Sequence, residues 1–257
     1  HRISAGVDAV THITDWTRRR LAGSLHPATP LVHLPPGVDA DLFHPRVDAA
    51  RVRDRLGLGG HPTVVCVSRL VRRKGQDVLI EALPLLRRQV PGARLLLVGG
   101  GPDRDRLVAL AKDRGVGEAV VFAGEVPWTE LPAYYAAGDV FAMPCRTRRA
   151  GLDVEGLGMV FLEASAVGLA VLAGNSGGAP EAVRDGVTGL VLHDPGSPSA
   201  IAARLVPLLS DPALAGRMGA AGREWVLRSW TWDLLAERLT GLLDPAQSLP
   251  APAPVHR

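Results

Sequence analysis

From about residue 63 onward, short apolar runs alternate with longer amphipathic ones, and this alternation restricts the fold more than any other feature. Thr63–Ser68 is apolar and β-branched, which predicts a strand. Gln76–Val90 follows, with Val78, Leu79, Ala82, Leu83 and Leu86 at helical spacing. The same logic predicts strand Arg94–Val98, helix Asp103–Arg114, strand Ala119–Ala123, helix Thr129–Ala137 and strand Asp139–Met143. Helix Gly158–Gly168, strand Ala170–Ala173, strand Gly189–Leu192 and helix Pro198–Leu209 complete the series. Six strands interleaved with helices imply an α/β fold: a Rossmann-like, parallel, six-stranded sheet with helices on both faces. The strands are apolar throughout, as a sheet covered on both faces requires. Ligands of such sheets bind beyond the carboxyl ends of the strands. The connections after Ser68, Val98, Ala123, Met143 and Ala173 are therefore where function is expected.

The flanks do not follow this pattern. Val7–Arg20 predicts one strand and one helix. Leu34-Pro35-Pro36-Gly37-Val38-Asp39, with Phe43 and Pro45 beyond it, predicts a stiff linker. Pro212–Leu243 predicts two helices meeting near Trp230-Thr231-Trp232, with Trp230, Trp232, Leu235 and Leu239 on one apolar face. Residues 244–257 are rich in Pro and Ala and are expected to form a disordered tail.

Composition narrows the function classes. The net charge of +3 is carried almost wholly by arginine, since Lys74 and Lys112 are the only lysines, and so mild a bias does not indicate nucleic acid. The two cysteines, Cys66 and Cys145, lie in apolar runs and are expected to be core residues rather than a bridge or metal pair. The histidines form no i, i+3 or i, i+4 pair, so no metal site is expected. No apolar run is long enough to span a membrane. The chain opens at His1 with no secretory signal, and a fragment or trimmed chain in a reducing cytoplasm is the expectation.

Chemistry concentrates in Glu155-Gly156-Leu157-Gly158-Met159-Val160-Phe161-Leu162-Glu163. Gly156 and Gly158 let the backbone approach a ligand. The amides of Leu157, Gly158, Met159 and Val160 open a helix and can face an anion, helped by the helix dipole. Glu155 lies in the preceding loop, where a sugar ring can reach it. Glu163 lies just inside the helix, where a carboxylate can accept from a ribose diol. On the connection after the first strand, Arg69 and Lys74 are either a pyrophosphate clamp or a solvated basic turn; Arg72 and Arg73 are read as solvated. Gly99-Gly100-Gly101-Pro102 either admits a phosphate or makes a tight turn. Asp103-Arg104-Asp105 has the form used by metal-dependent sugar transferases, but it opens a helix, where carboxylates complement the dipole.

Together these features resemble the C-terminal domain of retaining GT-B glycosyltransferases, over about residues 7–243. Glu155 and Glu163 match the family's two-glutamate motif, and Arg69 with Lys74 matches its Arg-x4-Lys clamp. Pro36–Pro45 matches its interdomain linker. The Gly99–Pro102 turn and Asn175-Ser176-Gly177-Gly178-Ala179-Pro180-Glu181 also fit. Met143–Arg148 and Gly151–Glu155 look most like actinobacterial mannosyltransferases, which use GDP-mannose and act on phosphatidylinositol mannosides.

The resemblance implies retaining, metal-independent hexosyl transfer without a cofactor, in the cytoplasm with possible peripheral contact at the inner membrane face. Glu155 is the expected catalytic residue. Arg69, Lys74, Gly99, Gly100, Val126, Gly156, Leu157, Gly158, Met159, Val160 and Glu163 are the expected donor contacts. Residues 1–34 would be the remnant of an N-terminal acceptor domain and 35–45 the interdomain linker. Residues 46–211 would bind the nucleotide sugar, and 212–243 would cross back toward the N-terminal domain. The family's glycine-rich loop and active-site histidine map to nothing here, so the chain alone is expected to be inactive. Another hexosyl donor (glucosyl or N-acetylglucosaminyl) and a non-catalytic nucleotide-binding module are the alternatives.

Overall fold

Residues 6–244 are described by a computed structural model. β1 (Val10–His12), α1 (Asp15–Ala22) and β2 (Leu31–His33) form a small leading unit in which the two strands pair in parallel. After α2 (Ala50–Arg55), the main series runs β3 (Thr63–Val67), α3 (Gln76–Gln89), β4 (Arg94–Val98), α4 (Arg104–Asp113), β5 (Val120–Gly124), α5 (Leu131–Ala136), β6 (Val140–Met143), α6 (Met159–Val167), β7 (Ala170–Gly174), β8 (Gly189–Leu192) and α7 (Pro198–Ser210). The chain closes with α8 (Pro212–Ser229) and α9 (Trp232–Leu243).

The six main strands are all parallel, in the order β5-β4-β3-β6-β7-β8. β3, β6 and β7 are buried at every residue, while the edge strands β5 and β8 are only partly covered. This is the expected sheet, with each predicted strand end within one residue of the observed one. α3 packs on α4 and α7, and α6 packs on α5 and α8, so both faces are covered. From β3 the chain winds outward through β4 and β5; from β6 it winds the other way. The connections after β3 and β6 therefore diverge at the topological switch point, where a crevice opens at the carboxyl ends.

One expectation about the flanks needs correction. The linker is packed down: Val38 and Phe43 are buried, and Phe43 packs edge-on against Tyr135 at 5.8 Å. Arg223 of α8 donates to Phe43 O, Ala40 O and Ala166 O, tying residues 40–43 to α6. α8 itself packs on α6 and β7, so it belongs to the sheet unit rather than lying outside it. Gly219 and Gly222 make that fit possible: a Cβ on Gly219 would lie 1.8 Å from Gly168 O. Only α9 stands off. Trp230 joins the core and Leu235 is buried, but Trp232 and Leu239 are exposed, so the four side chains do not share one buried face.

Both cysteines are free and buried, as expected. Burial pushes the Cys66 thiol up to about 11 and that of Cys145 to about 12. Among the described residues no helix is long and apolar enough to cross a membrane. The expected tail lies outside the described residues, apart from Asp244.

Candidate active site

At the switch point the connections after β3 and β6 are laced together. Arg146 N–H donates to Arg73 O at 2.8 Å. Gly75, in the left-handed region at φ 83, lies so close to Pro144 that a Cβ would sit 2.3 Å from its carbonyl oxygen. This turn delivers Lys74 to the interior, where it is 8% exposed. Its Nζ donates to Glu155 Oε2 at 2.5 Å, and Arg73 Nη1 donates to the same oxygen at 2.6 Å. Arg73 also pairs with Asp153 at 3.2 Å. Reading Arg73 as solvated is therefore corrected: the tight turn over Arg72–Lys74 points Arg73 inward while Arg72 stays exposed.

Glu155 is buttressed from behind. Its backbone N–H donates to Ser176 Oγ at 3.2 Å, and its carbonyl accepts from Gly178 N–H at 2.9 Å. Glycine is required where the connection after β7 presses in, since a Cβ on Gly177 would meet Glu155 O at 2.1 Å. Beyond Glu155, Gly158 at φ 82 caps α6. The amides of Leu157, Gly158, Met159 and Val160 meet no acceptor among the described residues, whereas Phe161 N–H is satisfied by Gly158 O. Those four donors and the dipole of α6 present positive potential next to Glu155, which Lys74 holds.

Glu163, one turn into α6, is part-buried and accepts from Tyr135 Oη at 2.6 Å through Oε2. Burial raises its pKa, and the bond from Tyr135 partly offsets that rise. Arg69 is exposed, and its guanidinium has no ion pair among the described residues. Gly99 and Gly100 owe their glycine character to packing: a Cβ would meet Ser68 O at 2.3 Å and Glu125 Oε1 at 2.3 Å respectively. Gly156 faces more open space, its Cβ position meeting only Ile13 Cδ1 at 3.4 Å. Val126 is half-buried beyond β5. Asp103 serves structure, paired with Arg106 at 2.6 Å, which holds its carboxyl below the usual range.

The leading unit also reaches this crevice. Glu181 accepts from the first amides of α1, Asp15 N–H at 2.6 Å and Trp16 N–H at 2.9 Å. Thr14 Oγ1 donates to Gly156 O at 3.2 Å. Sequence reasoning gave Arg73, Tyr135, Ser176 and Glu181 no role. Ser176 and Glu181 had a visible signal, as members of the Asn175–Glu181 stretch.

The profile of the family "Glycosyl transferases group 1" matches residues 49–225. The GDP-mannose-dependent alpha-(1-6)-phosphatidylinositol monomannoside mannosyltransferase of Mycolicibacterium smegmatis is 56% identical over 243 residues, covering 94% of this chain. The GDP-mannose-dependent monoacylated alpha-(1-6)-phosphatidylinositol monomannoside mannosyltransferase of Corynebacterium glutamicum is 44% identical over 245 residues, also covering 94% of the chain. The chain spans 63% of the length of each of these relatives. Among solved structures, the sucrose-phosphate synthase of Thermosynechococcus elongatus superposes with a TM-score of 0.81 at 31% identity, over 94% of this chain and 59% of that one.

Proposed function

Because this chain belongs to the glycosyl transferases group 1 family, we propose that it forms the donor-binding half of a retaining mannosyltransferase. On this reading it helps move mannose from GDP-mannose to a hydroxyl of a glycolipid such as a phosphatidylinositol mannoside. The observation that carries the proposal is buried Lys74, held on Glu155 beside four unpaired amides. A pyrophosphate placed on those amides takes the remaining protons of Lys74 and the free fork of Arg69. These groups stabilise the charge that grows on the leaving group as the glycosidic bond breaks. No metal or cofactor is assigned to that step.

Glu155 Oε2 is occupied by Lys74 and Arg73, which leaves Oε1 to accept from a hydroxyl of the mannose ring. The two cations also explain how a carboxylate can sit next to an anion site: they offset its repulsion of the phosphates. A doubly paired carboxylate is a poor nucleophile, and none is assigned. Glu163 accepts from the ribose through the lone pairs that Tyr135 leaves free. The acceptor would arrive from the side of α1, and a lipid acceptor goes with a cytoplasmic enzyme in peripheral contact with the membrane as part of this reading.

The test is calorimetric titration of GDP, UDP and ADP into the chain. GDP is expected to bind most tightly, and Arg69→Ala should weaken GDP far more than guanosine. Equal losses for both ligands would remove Arg69 from the pyrophosphate clamp.

A further inference from the structure

Arg148 and Asp153 exchange two backbone hydrogen bonds, at 2.9 and 3.2 Å, so the middle of the long connection after β6 is a closed hairpin. Its turn holds Arg149 at φ 50, Ala150 at φ 51 and Gly151 at φ 91. Two L residues in the left-handed region are strained, and such strain persists where the surroundings enforce it, commonly at binding sites. The result is a projecting turn on which Leu152, beside the closing pair, is 88% exposed.

Under this projection lies a cavity of about 470 Å³ lined by five arginines, Arg69, Arg72, Arg73, Arg148 and Arg149, and by only two carboxylates, Asp103 and Asp153. Arg73 is taken by Asp153 and Glu155. The nearest carboxylate to Arg72 is Asp103, at 3.8 Å, which Arg106 already holds. The guanidinia of Arg69, Arg148 and Arg149 have no hydrogen bond or ion pair among the described residues. Arg20 of α1, stacked on Trp16, reaches the turn of the hairpin, its Nη2 lying 3.3 Å from where a Cβ of Gly151 would be. Like charges gathered in a partly enclosed space repel one another. An anion among them offsets that cost, and forked guanidinia match phosphate oxygens, whether of a singly charged diester or of a free phosphate.

We propose that the hairpin Arg148–Asp153 closes a second anion site, beside the donor's, that takes a phosphate group esterified on the acceptor or free. The proposal rests on the donor reading, because it shares Arg69 with the pyrophosphate clamp and borders it through Arg73, which is held on Glu155. The exposed Leu152 next to the guanidinia suits an amphiphilic phosphodiester.

The experiment titrates glycerophosphoinositol, inorganic phosphate and phosphate-free inositol into the chain, with and without saturating GDP. Both phosphate probes should bind and inositol should not. Arg148→Gln/Arg149→Gln should weaken the phosphate probes at least tenfold while changing GDP affinity less than twofold. Tighter binding of the diester identifies the acceptor as the source, and tighter binding of inorganic phosphate identifies a free ion. Should the double variant unfold, Arg149→Gly removes one charge and relieves the φ strain. Phosphate binding that the substitutions leave unchanged, no binding by the unmodified chain, or an equal loss of GDP affinity would each overturn the second site. Loss confined to GDP in the unmodified chain, with phosphate still bound, would sink the donor reading and leave the second site standing.

Discussion

Neutralising Glu155 should move two observables in opposite directions. Glu155→Gln keeps the size of the side chain and one oxygen acceptor but removes the charge that Lys74 and Arg73 share. Hydrogen bonds to charged groups contribute about 1.5–3 kcal/mol, and the surviving neutral acceptor keeps part of that, so the ligand-free protein should lose about 1–2 kcal/mol. For a chain of this size the melting temperature should fall by roughly 2–8 °C. GDP binding should respond the other way. Lys74 Nζ lies 2.5 Å from Glu155 Oε2; a phosphate oxygen on the far side of the ammonium would then sit about 5 Å from the carboxylate. Two unit charges at that separation repel by about 3 kcal/mol at an effective dielectric of ~20 and by less than ~1 kcal/mol in bulk water. Relief of about 1–2 kcal/mol makes GDP bind roughly 5- to 30-fold tighter, while turnover in the complete enzyme falls. Differential scanning calorimetry and isothermal titration read the two effects. Unchanged melting together with unchanged or weaker GDP binding would show that the carboxylate does not hold Lys74 beside the phosphates.

Glu163→Gln should weaken GDP several-fold, because a neutral amide is a poorer acceptor for a diol. Since burial raises the Glu163 pKa above 4.5, its contribution to stability is present below about pH 4.5 and lost as pH rises through the folded value. GDP affinity should run in reverse, falling as pH drops through that raised value, and the Gln variant should flatten this profile in titrations from neutral pH downward. Gly219→Ala gains about 1 kcal/mol of helix propensity. It also forces a methyl against Gly168 O, so a net loss on the order of 1–2 kcal/mol is expected in denaturant unfolding; a more stable variant would mean that α8 does not seat on α6 as described.

The main sheet was legible because each strand is an unbroken apolar run and each helix carries its own period. β2 was not: Leu31–His33 is three residues held between Pro30 and Pro35-Pro36, and it exists only because β1 pairs with it. α2 was missed for a similar reason, being six residues with only Val52 buried. α8 was grouped with α9 because Trp230 and Trp232, which lie beyond its end, drew attention from Gly219 and Gly222, the small residues that mark its packed face. At the site, the spacing of Glu155 and Glu163 is a local signal and could be read directly. Which of three adjacent cations turns inward is not local. Arg73 is chosen over Arg72 by the turn at Gly75 and by Asp153 and Glu155, about 80 residues farther along the chain.

The anchoring of the linker has a mechanical consequence. Val38 N–H donates to Trp230 O at 2.7 Å, and Val38 bridges to Thr231. The chain entering the sheet unit and the chain leaving it are thus fastened at one point. β1, α1 and β2 come before that point and α9 comes after it. The leading unit joins through residues 34–37, where two prolines fix φ and Gly37 lies against the backbone of Trp232 too closely to admit a side chain. A joint fixed in this way resists twisting. Glu181, clasping the first amides of α1, is the clip that holds the leading unit against the sheet unit.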